Sequence, residues 1–265
     1  MKKIRYYVKI FHAFVKNTFA RESDYRGNLI AEIIDSILIF VVNISFFSIL
    51  YLNTDSIAGW SSMEMLVLIG VTQLLTSFIY MLFMNNLPRI QRYVFSGDFD
   101  YILLKPCDEQ FYVSFRYFYF GALPNLVFSI GLLIYALVSL KADLSIGFIL
   151  MFCIYIICGV AICYSIWLLI MTLSIVMLKI GQMHELFLSS LKFFEYPKGI
   201  YKGLIRNFVL YIIPLVTVSN VPAELLLGKI SILNSLYIIG LAFIFVWGSR
   251  LIWKRALRKY SSASS

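Results

Sequence analysis

Residues 146–177 read IGFILMFCIYIICGVAICYSIWLLIMTLSIVM, a stretch without a charged residue. A helix rises 1.5 Å per residue, so about 20 residues cross a hydrocarbon core of about 30 Å. Five further windows have the same apolar character: Leu29–Leu52, Met63–Met84, Phe118–Leu140, Phe208–Leu227 and Ile230–Gly248. The sequence therefore predicts an all-α, polytopic membrane protein with six transmembrane helices, in a single transmembrane domain over residues 1–265.

Composition and charge placement also indicate a membrane protein. Of the 265 residues, 61% are apolar and 14% are charged, against roughly 45–50% and 25% in soluble domains. The formal charge is +9, and many basic residues flank the outermost windows. They are Lys2, Lys3, Arg5, Lys9, Lys16, Arg21 and Arg26 before the first window, and Arg250, Lys254, Arg255, Arg258 and Lys259 in a basic tail over residues 250–265. Because basic flanks stay on the cytoplasmic side, we expect both termini inside and no nucleic-acid partner.

Residues 1–26 have an amphipathic pattern. Apolar side chains recur every three or four residues, and basic side chains fall mainly on other faces of the helix. The apolar set is Ile4, Tyr7, Val8, Phe11, Phe14, Val15 and Phe19. This spacing predicts a helix on the membrane surface, with its basic residues among lipid headgroups.

Ionisable residues lie in or beside the apolar windows, where charge is costly. Glu32 and Asp35 are one helical turn apart in the first window. Two interpretations stay open: the pair lines the inner mouth of a pathway or meets a partner helix, or Glu32 is solvated at headgroup depth. Arg116 precedes the third window, and we expect it to reach cytoplasmic headgroups, with a substrate role as the alternative.

The region after Ile146 allows two topologies. In the first, a long fourth helix is followed by a cytoplasmic loop over residues 179–206 and a fifth helix at Phe208–Leu227. In the second, the apolar run breaks near Leu169 and the fifth helix returns outward through Met171–Phe194. Residues 201–227 then form a re-entrant hairpin. The basic residues of the loop in the first topology are Lys179, Lys192, Lys198, Lys202 and Arg206.

The role of His184 and Glu185 depends on this choice. In the second topology they form a polar pair inside the membrane, and in the first they are solvated. The basic residues favour the first topology, because positive loops stay inside. Pro197, Pro214 and Pro222 favour broken helices, which occur where protein or water satisfies the freed backbone groups.

Residues 85–110 are the most polar internal part of the chain, and we call them the polar segment. Its charged residues are Arg89, Arg92, Asp98, Asp100, Lys105, Asp108 and Glu109, and its aromatic residues are Tyr93, Phe95, Phe99 and Tyr101. Aromatic anchors with a polar rim are typical of protein interfaces. Gly97 suits a turn with unusual backbone angles. We expect this segment to bind a soluble partner, with arginines on lipid phosphates as the alternative.

The sequence lacks familiar signatures of catalysis. It has no Gly-x-x-x-x-Gly-Lys-Ser/Thr loop for nucleotide phosphates. Its histidines and cysteines have no spacing typical of a metal site: His12, His184, Cys107, Cys153, Cys158 and Cys163. We therefore expect no catalytic, cofactor or metal site in this chain.

The stretch GDFDYILLKP at residues 97–106, followed by Tyr-Pro at 196–197, Ile-Pro at 213–214 and Val-Pro-Ala at 221–223, resembles the membrane subunits of bacterial type-2 ABC exporters. More narrowly, the chain is similar to compact six-span permeases encoded beside a separate ATPase. The resemblance covers essentially the whole chain in length and span order.

This resemblance implies three structural roles. Residues 1–26 would form an elbow helix on the inner leaflet, residues 85–110 a cytoplasmic coupling segment that docks on the ATPase, and residues 200–228 an outward re-entrant element before the last helix. The ATPase-coupling residues would be Arg89, Arg92, Tyr93, Phe95, Gly97, Asp98, Asp100 and Lys105. The partner ATPase would use ATP and Mg, and this chain would bind no cofactor.

The resemblance also implies a function in the bacterial plasma membrane. The chain would form half of an export pathway, with ABC ATPase subunits and a second copy or a related permease as partners. Its cargo would be an amphipathic peptide, an antibiotic or a lipid. Two other classes stay open: a non-transport scaffold or immunity protein, and an ion-coupled secondary transporter that uses Glu32, Asp35 and Glu185.

Overall fold

The computed structural model describes residues 2–24, 26–142, 145–175 and 181–260. Within these ranges the chain forms α-helices and short 3₁₀ or π turns, without a β-strand. The α-helices are α1 (Lys2–Asp24), α2 (Arg26–Leu50), α3 (Ser62–Ile79), α4 (Arg89–Ser96), α5 (Phe99–Leu103), α6 (Glu109–Phe115), α7 (Leu123–Ser139), α8 (Ile146–Thr172), α9 (Gly181–Ser190), α10 (Gly203–Asn207), α11 (Leu215–Leu226) and α12 (Ile232–Leu257).

Five helical stretches in the described ranges are long and apolar enough to cross a membrane. They are Gly27–Leu50, Ser62–Ser96, Phe120–Ser139, Ile146–Ile175 and Leu233–Leu257. A bent pair, Gly203–Leu210 with Leu215–Leu226, makes a sixth if it is counted as one span. The predicted all-α, polytopic membrane fold is confirmed.

Helices α3 and α8 run side by side in the same direction. Leu75 lies close to Gly159, and further along both helices the ring centroids of Phe83 and Tyr164 are 4.8 Å apart. The glycine at position 159 also lets α11 lie close to α8. A Cβ atom there would be only 2.8 Å from Cγ1 of Val218 in α11. Small residues let membrane helices pack closely, and α8 therefore contacts α3 and α11 at this level.

Helix α7 runs antiparallel to α3. Asn125, near the start of α7, donates a hydrogen bond of 3.0 Å to the Ser77 hydroxyl, near the end of α3. At the other end of the contact, a Cβ atom on Gly70 would lie 2.7 Å from Cγ of Leu133. The two helices are thus in close contact over most of their length.

Helix α2 is attached more loosely than the other long helices. Only 11% of its most apolar window is buried. It contacts α7 through the stacked rings of Phe40 and Phe128, whose centroids are 5.5 Å apart. The side of α2 away from the cleft residues carries Ile34, Val41 and Ile49, all of them exposed. The described part of the chain leaves this apolar side uncovered.

The chain after α8 follows neither predicted topology in full. Helix α8 continues unbroken to Thr172, so a break near Leu169 is wrong. The residues that follow it, 176–180, lie outside the described part, and they include Lys179 of the predicted loop. A helix beginning at Met171 is also wrong, because α9 begins at Gly181.

Residues 181–199 extend along the bundle. His184 in α9 stacks on Trp167 in the second half of α8. Further on, the Phe194 carbonyl accepts a hydrogen bond of 2.9 Å from Thr72 in α3, and Gly199 lies beside Ala58, in the connection between α2 and α3. The part of the predicted 179–206 loop that is described here therefore does not stay at one end of the molecule.

The segment between residues 203 and 226 is bent by 76°. Ile213 has an extended conformation, with φ −117° and ψ 86°, and Pro214 after it lacks the N–H group that would continue a helix. A straight fifth helix over Phe208–Leu227 is therefore wrong. The chain just before this bent segment lies close to the end of the segment, because Nζ of Lys198 is 2.6 Å from Oε1 of Glu224.

Candidate functional site

The polar segment folds as two short helices joined by a left-handed turn. A π-helical turn, Tyr80–Met84, extends α3 toward it, and α4 and α5 follow. Gly97 lies between them with φ 76°, a conformation that glycine adopts without strain. The Ser96 hydroxyl is 2.6 Å from Oδ2 of Asp98 across this turn. The unusual backbone angle predicted at Gly97 is confirmed.

The aromatic residues of the segment divide between two sides. Tyr93 is 8% exposed and Phe99 is fully buried, with its ring centroid 6.1 Å from that of Trp253 in α12. Phe95 is 50% exposed and Tyr101 is 69% exposed. Tyr93 was predicted to contact a partner, but its burial assigns it to the interior of the segment. Phe95 and Tyr101 are the aromatic residues that a partner can reach.

The outer side of the polar segment is both apolar and charged. Leu104 is 81% exposed, next to a less exposed Leu103. We call the following set the exposed face: Arg92, Phe95, Asp98, Tyr101, Leu104 and Lys105. Large apolar side chains gathered on a surface with a charged rim are typical of a protein interface. Arg89 and Asp100 are half-buried and lie at its margin.

Arg250 ties the end of the polar segment to α12. Its guanidinium forms an ion pair with Asp108 and donates a hydrogen bond of 2.7 Å to Oε1 of Gln110. Gln110 in turn donates to the Tyr164 hydroxyl in α8, at 2.9 Å. Oδ1 of Asp108 also accepts from the Phe111 N–H at 3.1 Å, which caps α6. Two spans and the polar segment therefore share one hydrogen-bonded network.

Helix α1 packs against the same region. The Tyr6 hydroxyl donates to the carbonyl oxygen of Pro106 at 2.8 Å, and the Asp108 N–H donates to the Tyr7 hydroxyl at 3.2 Å. The helix predicted for residues 1–26 forms over most of its length. Helices α1 and α12 therefore both contact Asp108, near the end of the polar segment.

Three arginines surround the ring of Tyr117. Their guanidinium carbons are 4.3 Å from its centroid for Arg89, 4.8 Å for Arg21 and 5.1 Å for Arg116. Arg116 is also 5.0 Å from the ring of Tyr112. Such distances are typical of cation–π contacts. The sequence did not predict this cluster, since its members come from three separate elements.

A cleft of ≈ 860 Å³, lined by both polar and apolar side chains, lies between α2, α3, α7 and the turn at Leu191–Tyr196. Glu32 and Asp35 both line it, and Glu32 accepts a hydrogen bond of 2.7 Å from Asn28. Burial, followed by the carboxylates of Glu32 and Asp35, raises the pKa of Tyr119 at the cleft to about 12. The Tyr119 hydroxyl therefore stays protonated at neutral pH and is available as a donor.

The wall of this cleft contains polar residues that the sequence analysis did not single out. The Asn125 amide donates to Oε1 of Gln73 and to the Ser77 hydroxyl, both at 3.0 Å. Its own oxygen is buried and has no hydrogen-bond partner among the described residues. These two residues could have been identified from the sequence, because Gln73 and Asn125 are amides inside otherwise apolar windows.

His184 and Glu185 lie in different surroundings. The imidazole of His184 stacks on Trp167, with ring centroids 5.4 Å apart and planes 9° apart, whereas Glu185 is exposed. Glu185 interacts electrostatically with the imidazole, without a hydrogen bond or ion pair between the two side chains in the described ranges. In those ranges, no group of three His, Cys, Asp or Glu side chains could hold a metal ion. The free cysteines are Cys107, Cys153, Cys158 and Cys163.

A family model described as "ABC-2 family transporter protein" matches residues 37–264. The match includes the whole polar segment and most of the cleft, and it leaves out α1 together with Glu32 and Asp35. The comparisons with curated proteins and with solved structures found no match.

Proposed function

The chain belongs to the ABC-2 family of transporter proteins, and we propose from this premise that it is the permease subunit of an ATP-driven exporter. Its sequence has no phosphate loop, so a separate ATPase would supply nucleotide hydrolysis. The observation that carries this coupling is the exposed face of the polar segment. It presents Phe95, Tyr101 and Leu104 to solvent while its inner side is tied to α1, α8 and α12.

The exposed face is suited to transmit force. Its apolar side chains can enter a groove of the ATPase, with Arg92 and Lys105 available to meet acidic residues at the rim. The network of Arg250 and Asp108 then connects the docked segment to the end of α12. A movement imposed on the polar segment would therefore reach two spans without passing through a flexible loop.

The cleft between α2, α3 and α7 is a suitable half of the transport pathway. Its volume of ≈ 860 Å³ falls within the roughly 300–1,000 Å³ of typical ligand sites. Amides and hydroxyls lie beside apolar residues, which suits an amphipathic peptide, an antibiotic or a lipid as cargo. The uncovered apolar side of α2 offers a surface for a second permease copy, which would complete the pathway.

Reconstitution tests this function directly. The protein, purified together with its ATPase and placed in proteoliposomes, is expected to move an amphipathic cargo only when ATP is present, and to show no ATP hydrolysis without the ATPase. Transport driven by a proton or sodium gradient in the absence of ATP would assign the chain to secondary transporters. Failure to bind any ATPase would instead favour a scaffold or immunity protein.

We also propose that residues 200–228 are an outward re-entrant element. In support, an ion pair joins Lys198, just before this element, to Glu224 near its end, and a second pair joins Lys229, just after it, to Glu64 at the start of α3 at 2.7 Å. Helix α3 begins next to these ion pairs, and the polar segment follows the opposite end of α3. If the polar segment is cytoplasmic, the ion pairs therefore lie on the outer side of the membrane. Both chain termini are then cytoplasmic, including the tail at 250–265, of which 261–265 lie outside the described residues.

Cysteine labelling tests this orientation. With the four native cysteines replaced by serine or alanine, a cysteine at exposed Lys202 is expected to react with a membrane-impermeant maleimide in intact cells. The matched control is a cysteine at exposed Lys259, which should react only after permeabilisation. Labelling of the Lys202 position only after permeabilisation would contradict the re-entrant proposal.

A further inference from the structure

We propose that Arg21, Arg89 and Arg116 form a binding site for the phosphate headgroup of an anionic membrane lipid. The three guanidinium carbons lie 4.8, 4.3 and 5.1 Å from the centroid of the Tyr117 ring. All three charges are thus within about 10 Å of one another and repel. An anion placed among them would remove this repulsion, and the planar guanidinium matches phosphate oxygens in a two-point contact.

None of these arginines forms an ion pair with a carboxylate in the described chain. The ion pairs found among the described residues involve Lys198, Lys229 and Arg250. Glu22 lies near Arg21, yet one of its carboxyl oxygens is buried without a hydrogen-bond partner in the described structure. Burial and then the neighbouring Glu32 raise the pKa of Glu22, and Arg21 and a hydrogen bond from the Phe120 backbone only partly offset this rise. Three arginines with one such neighbour leave the cluster with an excess of positive charge.

The backbone of Tyr117, at the centre of the cluster, is held by Asn86. The Asn86 amide donates a hydrogen bond of 2.5 Å to the Tyr117 carbonyl oxygen, and its own oxygen accepts from the Tyr117 N–H at 2.9 Å. Asn86 is 1% exposed and so has no freedom to turn away. Positioning the ring in this way lowers the conformational cost of binding a ligand among the arginines.

The position of the cluster favours a lipid over a soluble anion or the ATPase. Tyr117 precedes the span at Phe120–Ser139 by three residues, and the exposed ring of Phe19 in α1 packs against Phe120 at 5.5 Å. Apolar surface next to basic residues at the end of a span is typical of contact with anionic headgroups. Arg92, in contrast, points outward on the exposed face, where the ATPase is proposed to dock.

Lipid binding by the purified full-length protein tests this site. In detergent, phosphatidylglycerol is expected to raise the unfolding temperature, whereas phosphatidylcholine and inorganic phosphate are not. Replacing Arg89 and Arg116 together by glutamine should weaken the apparent affinity for phosphatidylglycerol by at least about tenfold, because bonds to charged groups are lost. The matched control is Arg92→Gln, one turn away in α4, which should leave that affinity unchanged.

Three results would overturn the lipid assignment. An equal temperature shift with inorganic phosphate alone would identify a soluble phosphate ligand. An equal loss in Arg92→Gln would show that diffuse charge attracts the lipid. Loss of ATPase binding in the double variant, with lipid affinity retained, would assign the cluster to the ATPase interface. If the glutamine variant fails to fold, the Arg89→Lys and Arg116→Lys variants keep the charge, and unchanged lipid affinity there would contradict a guanidinium site.

Discussion

Replacing Leu104 by aspartate is expected to abolish ATP-driven transport. Leu104 is the most exposed apolar residue of the exposed face, at 81%. If it enters a groove of the ATPase, its loss should cost about 2 kcal/mol or more, which is roughly a thirtyfold loss of affinity. The added carboxylate would also be desolvated without a partner. The loss of docking is measured as the affinity of the variant for the ATPase. The loss of transport is measured as efflux from proteoliposomes.

Leu52→Asp is the matched control for this experiment. Leu52 is 80% exposed but lies in the connection between α2 and α3, away from the polar segment. Because both side chains are exposed, neither change should lower the free energy of unfolding by more than about 0.5 kcal/mol. Leu52→Asp should therefore keep both binding and transport. Normal ATPase affinity in Leu104→Asp would show that the exposed face does not dock the ATPase.

The spans were predictable from the sequence because the membrane imposes their length. A hydrocarbon core requires about 20 apolar residues whatever surrounds the helix. The window Met63–Met84 accordingly matches α3 with its π-helical turn, Ser62–Met84, to one residue at the start. The bend near Pro214 was less predictable, since a proline in a membrane helix can either kink it or be accommodated. Pro222 lies within α11 without ending it.

The inward or outward orientation of residues in the polar segment was predictable only in part. In α4 the buried residues Ile90, Tyr93 and Val94 follow the i, i+3, i+4 spacing of one helix face, but this spacing has meaning only once a helix is placed at Arg89–Ser96. Tyr93 and Phe95 looked equivalent in the sequence, but only Tyr93 faces the interior. Whether an aromatic residue is buried here depends on elements that are distant in the chain, as Trp253 in α12 packs against Phe99. The arginine cluster has the same origin, because Arg21 and Arg89 meet only after α1 folds onto the segment.

Replacing Arg250 by glutamine is expected to separate ATP hydrolysis from transport. The guanidinium is 29% exposed, and it joins α12 to Asp108 and Gln110. Its loss leaves the Asp108 carboxylate with only its capping bond to the Phe111 N–H, at a cost of about 1–3 kcal/mol in unfolding free energy. The exposed face is untouched, so the ATPase should still bind and hydrolyse ATP. The movement of the polar segment would no longer reach α12, and efflux per ATP hydrolysed should fall severalfold.

A double-mutant cycle distinguishes this coupling from simple destabilisation. Asp108→Asn alone should produce a similar loss of transport, because it removes the same ion pair from the other side. If the pair is the link, the double variant should be little worse than either single variant, with an interaction energy of about 1–3 kcal/mol. Additive losses would mean that the two residues act separately. An Arg250→Gln protein that hydrolyses ATP and transports normally would show that movement of the polar segment reaches the spans by another route. In the described structure, the remaining connection would then be the continuous helix from α3 through Tyr80–Met84.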